Sequence, residues 1–257
     1  MKNVFVETEN VQRFKDKLKK LEKRGAAEAC LMVVDGRPGL GKTTALNRWA
    51  IHNNCIYLRA KKEWTPNWFL EDLLTELHVN PAHSFQKKFK QAVEALLVRQ
   101  NSLVLQKKTF AVVVDEADHI SRNGKIMETI RDFSDLGDIP FILVGMGKIR
   151  DNLVAFPQVA SRIAQYCMFE EASVRDVQHF IEAQSDVPVA QCLIEFIHRV
   201  TNGFNREIKE AIASVETFGR RSQATADNPV TLKAMAGEFL VNDRRTGQPI
   251  HIPEALK

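Results

Sequence analysis

The sequence of 257 residues predicts an α/β fold in which a parallel sheet is followed by a small all-helical domain. Short apolar runs rich in β-branched residues alternate with segments of helical length up to about residue 170. Only helical patterns follow, and a glycine-rich loop stands between the first apolar run and a helical segment. We expect an N-terminal helical segment over residues 1–29, a sheet core over 30–170, a helical domain over 171–241 and a tail over 242–257.

The elements of the core are indicated by hydrophobic period and length. Residues 9–24 place Val11, Phe14, Leu18 and Leu21 at steps of three and four, which predicts an amphipathic helix with a basic outer face. Four apolar runs predict buried strands: residues 31–34, 56–58, 110–114 and 141–144. Segments 68–77 and 85–98 between them have the length of covering helices, so both faces of the sheet are expected to be buried.

The C-terminal third carries four helical patterns, over residues 174–183, 189–200, 205–218 and 231–241. Pro188, Gly203 and Pro229 separate them, because proline and glycine interrupt helices. Residues 242–257 hold Pro249 and Pro253 and have no long apolar period. An extended tail is therefore expected after the helical domain, and a loose intramolecular C-terminus is the alternative.

Composition excludes several classes of protein. Apolar residues make up 44% and charged residues 26%, which is typical of a globular chain. Four scattered cysteines without a C-x-x-C pair suggest neither a zinc site nor a disulfide framework, and they favour a reducing cytoplasm. No secretion signal or membrane span is expected. The net charge of +4 permits a polyanionic partner without requiring one.

The strongest motif is Gly36-Arg-Pro-Gly39-Leu-Gly41-Lys42-Thr43, which fits G-x-x-x-x-G-K-[ST] between a strand and a helix. Glycines let backbone N–H groups surround phosphates, and a helix N-terminus adds the positive end of its dipole. A lysine neutralises β- and γ-phosphate oxygens, and a threonine hydroxyl binds Mg²⁺. The nucleotide-binding residues are therefore expected to be Gly36, Gly39, Gly41, Lys42, Thr43 and Thr44, with Asp115.

Asp115 and Glu116 end the apolar run 110–114, in the arrangement of a metal-binding carboxylate followed by a base. Asp115 is expected to hold Mg²⁺ with Thr43, and Glu116 to polarise the attacking water. Residues 115–118 spell Asp-Glu-Ala-Asp, but the chain has no room for the second sheet domain of the helicases known by those letters. We therefore expect Asp118 to be a solvated or helix-capping residue.

Together these motifs resemble the AAA+ ATPases, in which such a core is followed by a helical lid. The resemblance implies ATP and Mg²⁺ as ligands. It also extends to two arginines. Arg162 resembles the arginine finger before the fifth strand, which completes a neighbouring subunit's site, and Arg206 resembles the lid arginine called sensor 2. An ordinary surface salt bridge is the alternative for each. The resemblance therefore assigns catalytic roles to Lys42, Glu116, Arg162 and Arg206.

One position departs from the family pattern. The fourth strand ends in Leu-Val-Gly145-Met146, where the family commonly has a polar sensor side chain. Met146 cannot orient a water by a conventional hydrogen bond. Another group is therefore needed for that contact, or the coupling between hydrolysis and rearrangement is weak.

Within the class, Phe5-Val-Glu-Thr8, the two-part layout and the Leu-Val-Gly ending are similar to the DNA-transposition ATPases of the Mu B type. This resemblance implies double-stranded DNA and a transposase as partners, with assembly into rings or helical filaments in the bacterial host cytoplasm. With the glycine-rich loop already at residue 36, DNA contacts are expected from the ATPase body. The transposase is expected to engage residues 242–257 or an exposed filament end.

Candidate DNA-binding residues are basic: Lys87, Lys88 and Lys90 on a predicted helix, and Arg122 and Lys125 in a predicted loop after the strand 110–114. They would bind phosphates without reading bases, and a solvated charged face is the alternative for each group. Two other functions remain open at this point. One is an ATPase scaffold for protein assembly, such as a secretion-associated protein, and the other is a replication initiator or loader.

Overall fold

The computed structural model describes Lys2 and residues 4–254, which form two compact units. One unit consists of the described residues of Met1–Gln12 and Glu170–Lys257 together with Gly39–Gly41. The other consists of Arg13–Pro38 and Lys42–Phe169 and carries the parallel sheet.

The elements of the sheet unit follow one another as strands and helices along the chain. The strands are β1 Leu31–Asp35, β2 Ile56–Arg59, β3 Val112–Asp115, β4 Phe141–Val144 and β5 Ile163–Met168. The helices up to the end of this unit are α1 Glu9–Glu22, α2 Lys42–Asn53, α3 Pro66–Glu76, α4 Phe85–Leu105, α5 Gly124–Gly137, α6 Ile149–Leu153 and α7 Pro157–Ala160. A short 3₁₀ turn, Ala117–His119, follows β3.

The five strands are parallel in the order β2-β3-β4-β1-β5, which confirms the predicted α/β fold. Strands β1, β3 and β4 are buried along their whole length, as their continuous apolar runs predict. The core includes Phe69, Phe133 and Phe141, none of which is exposed to solvent. Because all strands run the same way, their carboxyl ends share one edge, where β1 and β3 each end in a buried aspartate.

The described residues of the other unit form the start of α1, three further helices and a two-stranded antiparallel sheet. The helices are α8 Val174–Gln184, α9 Gln191–Thr201 and α10 Asn205–Arg221, and the strands are β6 Phe239–Asn242 and β7 Pro249–His251. Their apolar faces form a separate core that includes Leu193, Ile197 and Ile208. Ser173 caps α8 in a reciprocal arrangement with Asp176, which fixes where that helix begins.

The helix expected over residues 231–241 is wrong, so this unit is not all helical. Residues 232–237 form turns, and Gly237 adopts a φ of +78°, a conformation that favours glycine and stops a helix. Strand β6 then pairs with β7, which satisfies its backbone groups in a ladder. Hydrophobic periodicity alone did not distinguish a helix from a strand here, because the apolar segment before residue 242 is short.

The extended tail over residues 242–257 is also contradicted as far as Glu254. Strand β7 lies in this segment, and Ile252 is 1% exposed within the core of its unit. The pairing supplies the hydrogen bonds that a chain end normally takes from water.

Candidate active site

The phosphate-binding loop ends at the first residue of α2, and its lysine is held by the loop itself. Lys42 Nζ donates to the carbonyl oxygens of Gly36 at 2.6 Å and Arg37 at 2.8 Å. Burial lowers the pKa of Lys42, while the nearby carboxylates of Asp35 and Asp115 oppose that shift. Thr44 follows, exposed, in the first turn of α2. The loop thus presents a buried ammonium at a helix N-terminus, a suitable site for phosphate.

Glycine is required where the loop turns. Gly39 and Gly41 have φ values of +93° and +85°, which side-chain-bearing residues rarely adopt. At Gly36 the limit is space, because a Cβ would lie 2.5 Å from the Phe169 carbonyl oxygen.

Two oxygens suited to a hard cation meet between α2 and β3. The Thr43 hydroxyl donates to Asp115 Oδ2 at 2.7 Å, and the Tyr57 hydroxyl donates to the same oxygen at 2.6 Å. Burial and the neighbouring carboxylate raise the pKa of Tyr57, so it stays a donor. Hydroxyl and carboxylate oxygens are ligands that Mg²⁺ accepts alongside water and phosphate. Thr43 and Asp115 therefore fit this ion.

Glu116 follows β3 in a left-handed conformation, with a φ of +55°, which is uncommon for a residue other than glycine. Its carboxylate is paired with Arg59 at the end of β2, Nη2 to Oε1 at 2.5 Å. The hydrogen bond from Arg59 lowers the pKa of Glu116, so the carboxylate stays in its proton-accepting, ionised form down to lower pH. Arg59 stands next to Asp115 in the β2–β3 register, so the sheet places it there.

Asp118 neither stands free in solvent nor caps a helix, because the caps of the 3₁₀ turn and of α5 are Glu116 and Asn123, so the expectation of a solvated or helix-capping residue is wrong. It lies half-buried in the 3₁₀ turn after β3, and its Oδ2 accepts the Met146 backbone N–H at 2.7 Å. Asp35, buried at the end of β1, accepts the backbone N–H of Gly36 at 3.1 Å and also that of Gly147. Met146 is 46% exposed and contributes its backbone here. The fold explains the difference, because parallel pairing brings the ends of β1, β3 and β4 together.

In the other unit, the start of α10 contacts the glycine loop segment Gly39–Gly41. The Asn205 backbone N–H donates to Gly39 O at 3.2 Å, and its side-chain amide donates to Leu40 O at 3.1 Å. Arg206, the candidate sensor 2, is exposed on the first turn of α10. A segment expected to be tail also contributes: Arg244 pairs with Glu207 at 2.8 Å, and a Cβ on Gly39 would lie 2.7 Å from its Nη1.

Arg162 lies at the opposite edge of the sheet from Asp35, Asp115 and Glu116. It immediately precedes β5, and its carbonyl oxygen accepts the Leu31 N–H at the start of β1. The guanidinium pairs with Asp135, Nε to Oδ1 at 2.6 Å, and this pair raises the pKa of Arg162. Within one chain, Arg162 is therefore separated by the length of β1 from the phosphate loop.

The basic candidates differ in exposure. Lys87 and Lys90 are exposed on α4, whereas Lys88 is 5% exposed and pairs with Glu71. The prediction that Lys88 belongs to a DNA-binding surface is therefore wrong, because its position on α4 faces α3. Lys125 lies in the first turn of α5 instead of a loop, and it lines a shallow depression with His119 and Arg122.

Sequence reasoning missed five contacting residues: Tyr57, Arg59, Asp35, Asn205 and Arg244. Asp35 and Arg59 each stand at the end of a strand, so a rule that examines the last residue of every buried strand would have found them. Asn205 adjoins the candidate Arg206. No sequence signal marks Arg244, which reaches Glu207 because β6 and β7 pair.

Among the described residues, none of the helices is both long and apolar enough to cross a membrane.

Residues 26–153 match the family model described as AAA domain. Two curated proteins are similar to the chain, the ATP-dependent target DNA activators B of Escherichia phages Mu and D108. Each is 25% identical over 190 residues, covering 70% of this chain and 55% of the relative. The chain thus spans little more than half the length of these relatives.

Solved structures show the same fold at low identity. Cdc6p from Pyrobaculum aerophilum has a TM-score of 0.60 at 13% identity, covering 88% of this chain and 64% of that one. The Aeropyrum pernix Orc1 protein in complex with DNA has a TM-score of 0.56 at 14% identity, with 86% and 62% covered. The Thermotoga maritima RuvB Holliday junction branch migration motor has a TM-score of 0.53 at 19% identity, with 86% and 65% covered.

Proposed function

The chain belongs to the AAA+ ATPases, and from that premise we propose that it hydrolyses ATP, binds double-stranded DNA and delivers target DNA to a transposase. The observation that carries the ATPase part is the convergence of Lys42, Thr43, Asp115 and Glu116 at one edge of the sheet. The DNA part rests on the two phage relatives, whose name describes an ATP-dependent target DNA activator. The transposase and the host cytoplasm follow from the Mu B-type resemblance of the sequence.

The residues of the edge divide the chemistry of ATP hydrolysis among them. Lys42 exchanges its two carbonyl partners for phosphate oxygens, which also compensates its buried charge. Glu116 accepts a proton from the attacking water as an ionised carboxylate, and the hydrogen bond from Arg59 extends that ionised state to lower pH. Thr43 and Asp115 would hold Mg²⁺, which when bound neutralises charge on the phosphates. Arg206 lies one residue from Asn205, which contacts the loop, and it is the proposed sensor 2.

The position of Arg162 supports sites shared between subunits of a homo-oligomer. Strand β1 has five residues, so about 13 Å separates the Cα atoms at its two ends. An arginine at the amino end therefore cannot reach phosphates at the carboxyl end of its own chain. We propose that Arg162 leaves Asp135 to contact the γ-phosphate of a neighbouring subunit in a ring or filament.

Subunit mixing tests this sharing. Arg162→Ala and Glu116→Gln are each expected to be inactive alone, and a mixture is expected to recover part of the hydrolysis. Each mixed interface can combine an intact base with an intact arginine. A mixture as inactive as its components, with a protein that stays monomeric in ATP, contradicts the shared site.

DNA binding is proposed for exposed basic groups on the sheet unit, namely Lys87 with Lys90 on α4, and Arg122 with Lys125 near the start of α5. Such groups bind phosphates electrostatically and give weak sequence preference with a steep salt dependence. Assembly in ATP would align many of these groups along one duplex and strengthen binding.

The experiment measures duplex DNA affinity against salt, with and without ATP, in the Glu116→Gln background that retains nucleotide. ATP is expected to tighten binding. Loss of two phosphate contacts is expected to reduce the salt slope by about 1.8. We compare Lys87→Ala/Lys90→Ala with Arg122→Ala/Lys125→Ala, and use Lys19→Ala/Lys20→Ala on α1 as a control of equal charge change.

The DNA-binding surface and the transposase contact are tested separately. If the salt slope is unchanged in one double variant, that pair of residues is not the DNA surface. No duplex binding in either nucleotide state contradicts the DNA part and favours the protein-assembly scaffold.

The transposase contact is tested by truncation after Val241, which removes the C-terminal segment. Lost recruitment of the transposase with intact hydrolysis supports this segment as the contact, and full recruitment excludes it.

A further inference from the structure

The loop that follows β4 is held by two carboxylates from other strand ends. Asp118 Oδ2 accepts the Met146 N–H at 2.7 Å, and Asp35 accepts the next amide, that of Gly147. Asp35 also accepts the Gly36 N–H at 3.1 Å, at the start of the phosphate loop. These contacts connect the loop after β4 to the start of the phosphate loop and to the turn that follows β3.

The neighbouring glycine makes room for this arrangement. A Cβ on Gly145 would lie 2.7 Å from Asp118 Oδ2 and would also overlap the Ile149 side chain. Real Cβ atoms do not approach an oxygen so closely, so a side chain at position 145 would displace the carboxylate. The absence of a side chain at Gly145 therefore permits the bond between Asp118 and the Met146 main chain.

The second carboxylate oxygen of Asp118 is unpaired. In the described part of the chain, Oδ1 is buried and accepts no hydrogen bond. Buried carboxylate oxygens are normally paired, because an unpaired one loses its hydration without compensation. Asp118 also interacts electrostatically with Asp35 and Lys42, which locates it at the phosphate-binding edge. The carboxylate thus has one oxygen on the β4 loop and one available to a donor at this edge.

We infer that Asp118 positions the loop after β4 through the Met146 main chain, the task that a polar side chain at residue 146 would perform directly. This inference rests on the proposed ATPase activity. Met146 has no hydrogen-bonding side chain, yet its amide is fixed by a carboxylate that interacts electrostatically with Asp35 and Lys42 at the phosphate-binding end of the sheet. A change there is passed through Asp118 to Gly145–Gly147, so hydrolysis depends on this residue although nucleotide affinity does not.

The test compares Asp118→Ala and Asp118→Asn in the full chain, with MgATP as the probe. Asp118→Ala is expected to lower kcat by roughly 10²-fold, because misplacement of active-site groups by about 1 Å has effects of that size. The dissociation constant for ATP should change less than threefold. Asp118→Asn keeps an oxygen that accepts the Met146 N–H, and it should recover most of the lost rate. Hydrogen exchange should rise locally over residues 141–149 in Asp118→Ala alone.

Asp16→Ala removes an exposed carboxylate on α1 and serves as the matched control, with wild-type rate and affinity expected. If Asp118→Ala does not fold, Asp118→Ser replaces it, since a serine is too short to reach the amide, and the same loss is expected. A wild-type rate in these variants, an equal loss of rate and affinity, or no rescue by asparagine overturns the inference. A wild-type protein that neither binds nor hydrolyses ATP refutes the proposed function instead.

Discussion

The carboxyl edge of the sheet and the basic face of α4 both contain lysines, but the fold treats them differently. Lys42 is 8% exposed and donates to two carbonyl oxygens, whereas Lys87 is exposed. Lys90 is exposed as well, with only a 3.8 Å pairing to Glu94. A buried lysine with fixed hydrogen-bond partners suits a single ligand in one position. Exposed lysines suit a polyanion, which can bind them in many registers.

Lys88 shows that neighbours in sequence can belong to different classes. It lies between the exposed lysines Lys87 and Lys90, yet its ammonium contacts Glu71 and donates to Asn67 at 3.0 Å. It therefore joins α3 to α4, and its charge is already paired with a carboxylate within the chain.

Glu116→Gln should have the largest effect of all. Loss of a general base is expected to reduce ATP turnover by roughly 10²–10⁴-fold while ATP remains bound, because the amide cannot accept the proton. Turnover is measured by phosphate release and affinity by calorimetry. Hydrolysis at the wild-type rate would show that Glu116 is not the base.

Lys42→Ala should weaken ATP binding by about 100-fold, equivalent to ~2.7 kcal/mol, because the phosphates lose a preorganised charge. Lys90→Ala removes the same charge from the exposed face of α4 and should leave the ATP affinity unchanged. Equal ATP affinities for Lys42→Ala and Lys90→Ala would show that the buried and the exposed lysine do not differ in nucleotide binding.

Lys88→Ala should lower the free energy of unfolding by about 1–2 kcal/mol, since a buried, charge-assisted hydrogen bond is lost. Lys87→Ala should stay within ~0.5 kcal/mol of wild type, as exposed substitutions usually do. Urea denaturation of both variants provides the comparison. If both have the wild-type midpoint, Lys88 belongs with its exposed neighbours after all.

Arg59→Ala should have the smallest effect at neutral pH and a clear one in acid. Without the hydrogen bond from Arg59, the pKa of Glu116 rises toward its usual value. The base acts when deprotonated, so the acid limb of the pH–rate profile should move to higher pH, with little change at pH 7. A pH–rate series tests this, and a limb that stays in place would mean that Arg59 does not influence the base.

Much of the fold could be predicted from sequence, because continuous apolar runs at strand length have few alternatives to a buried parallel sheet. The strands 31–34, 56–58 and 141–144 were located to within a residue or two. The apolar segment 231–241 was misassigned as a helix because its pairing partner, β7, lies across a turn in the chain. A short apolar segment becomes a strand only where another strand can satisfy its backbone.

The phosphate motif and the Asp115-Glu116 pair could be identified from sequence, since Gly36 to Thr43 and Asp115-Glu116 carry their chemistry in fixed local spacing. Which other charged residues join them depends on the packing of the folded chain. Asp35, Arg59 and Asp118 reach the edge because parallel strands about 4.8 Å apart end together, and Lys88 is not available to a ligand because α4 packs on α3. Local spacing specifies backbone conformation, whereas contacts between residues distant in sequence depend on strand order and helix packing.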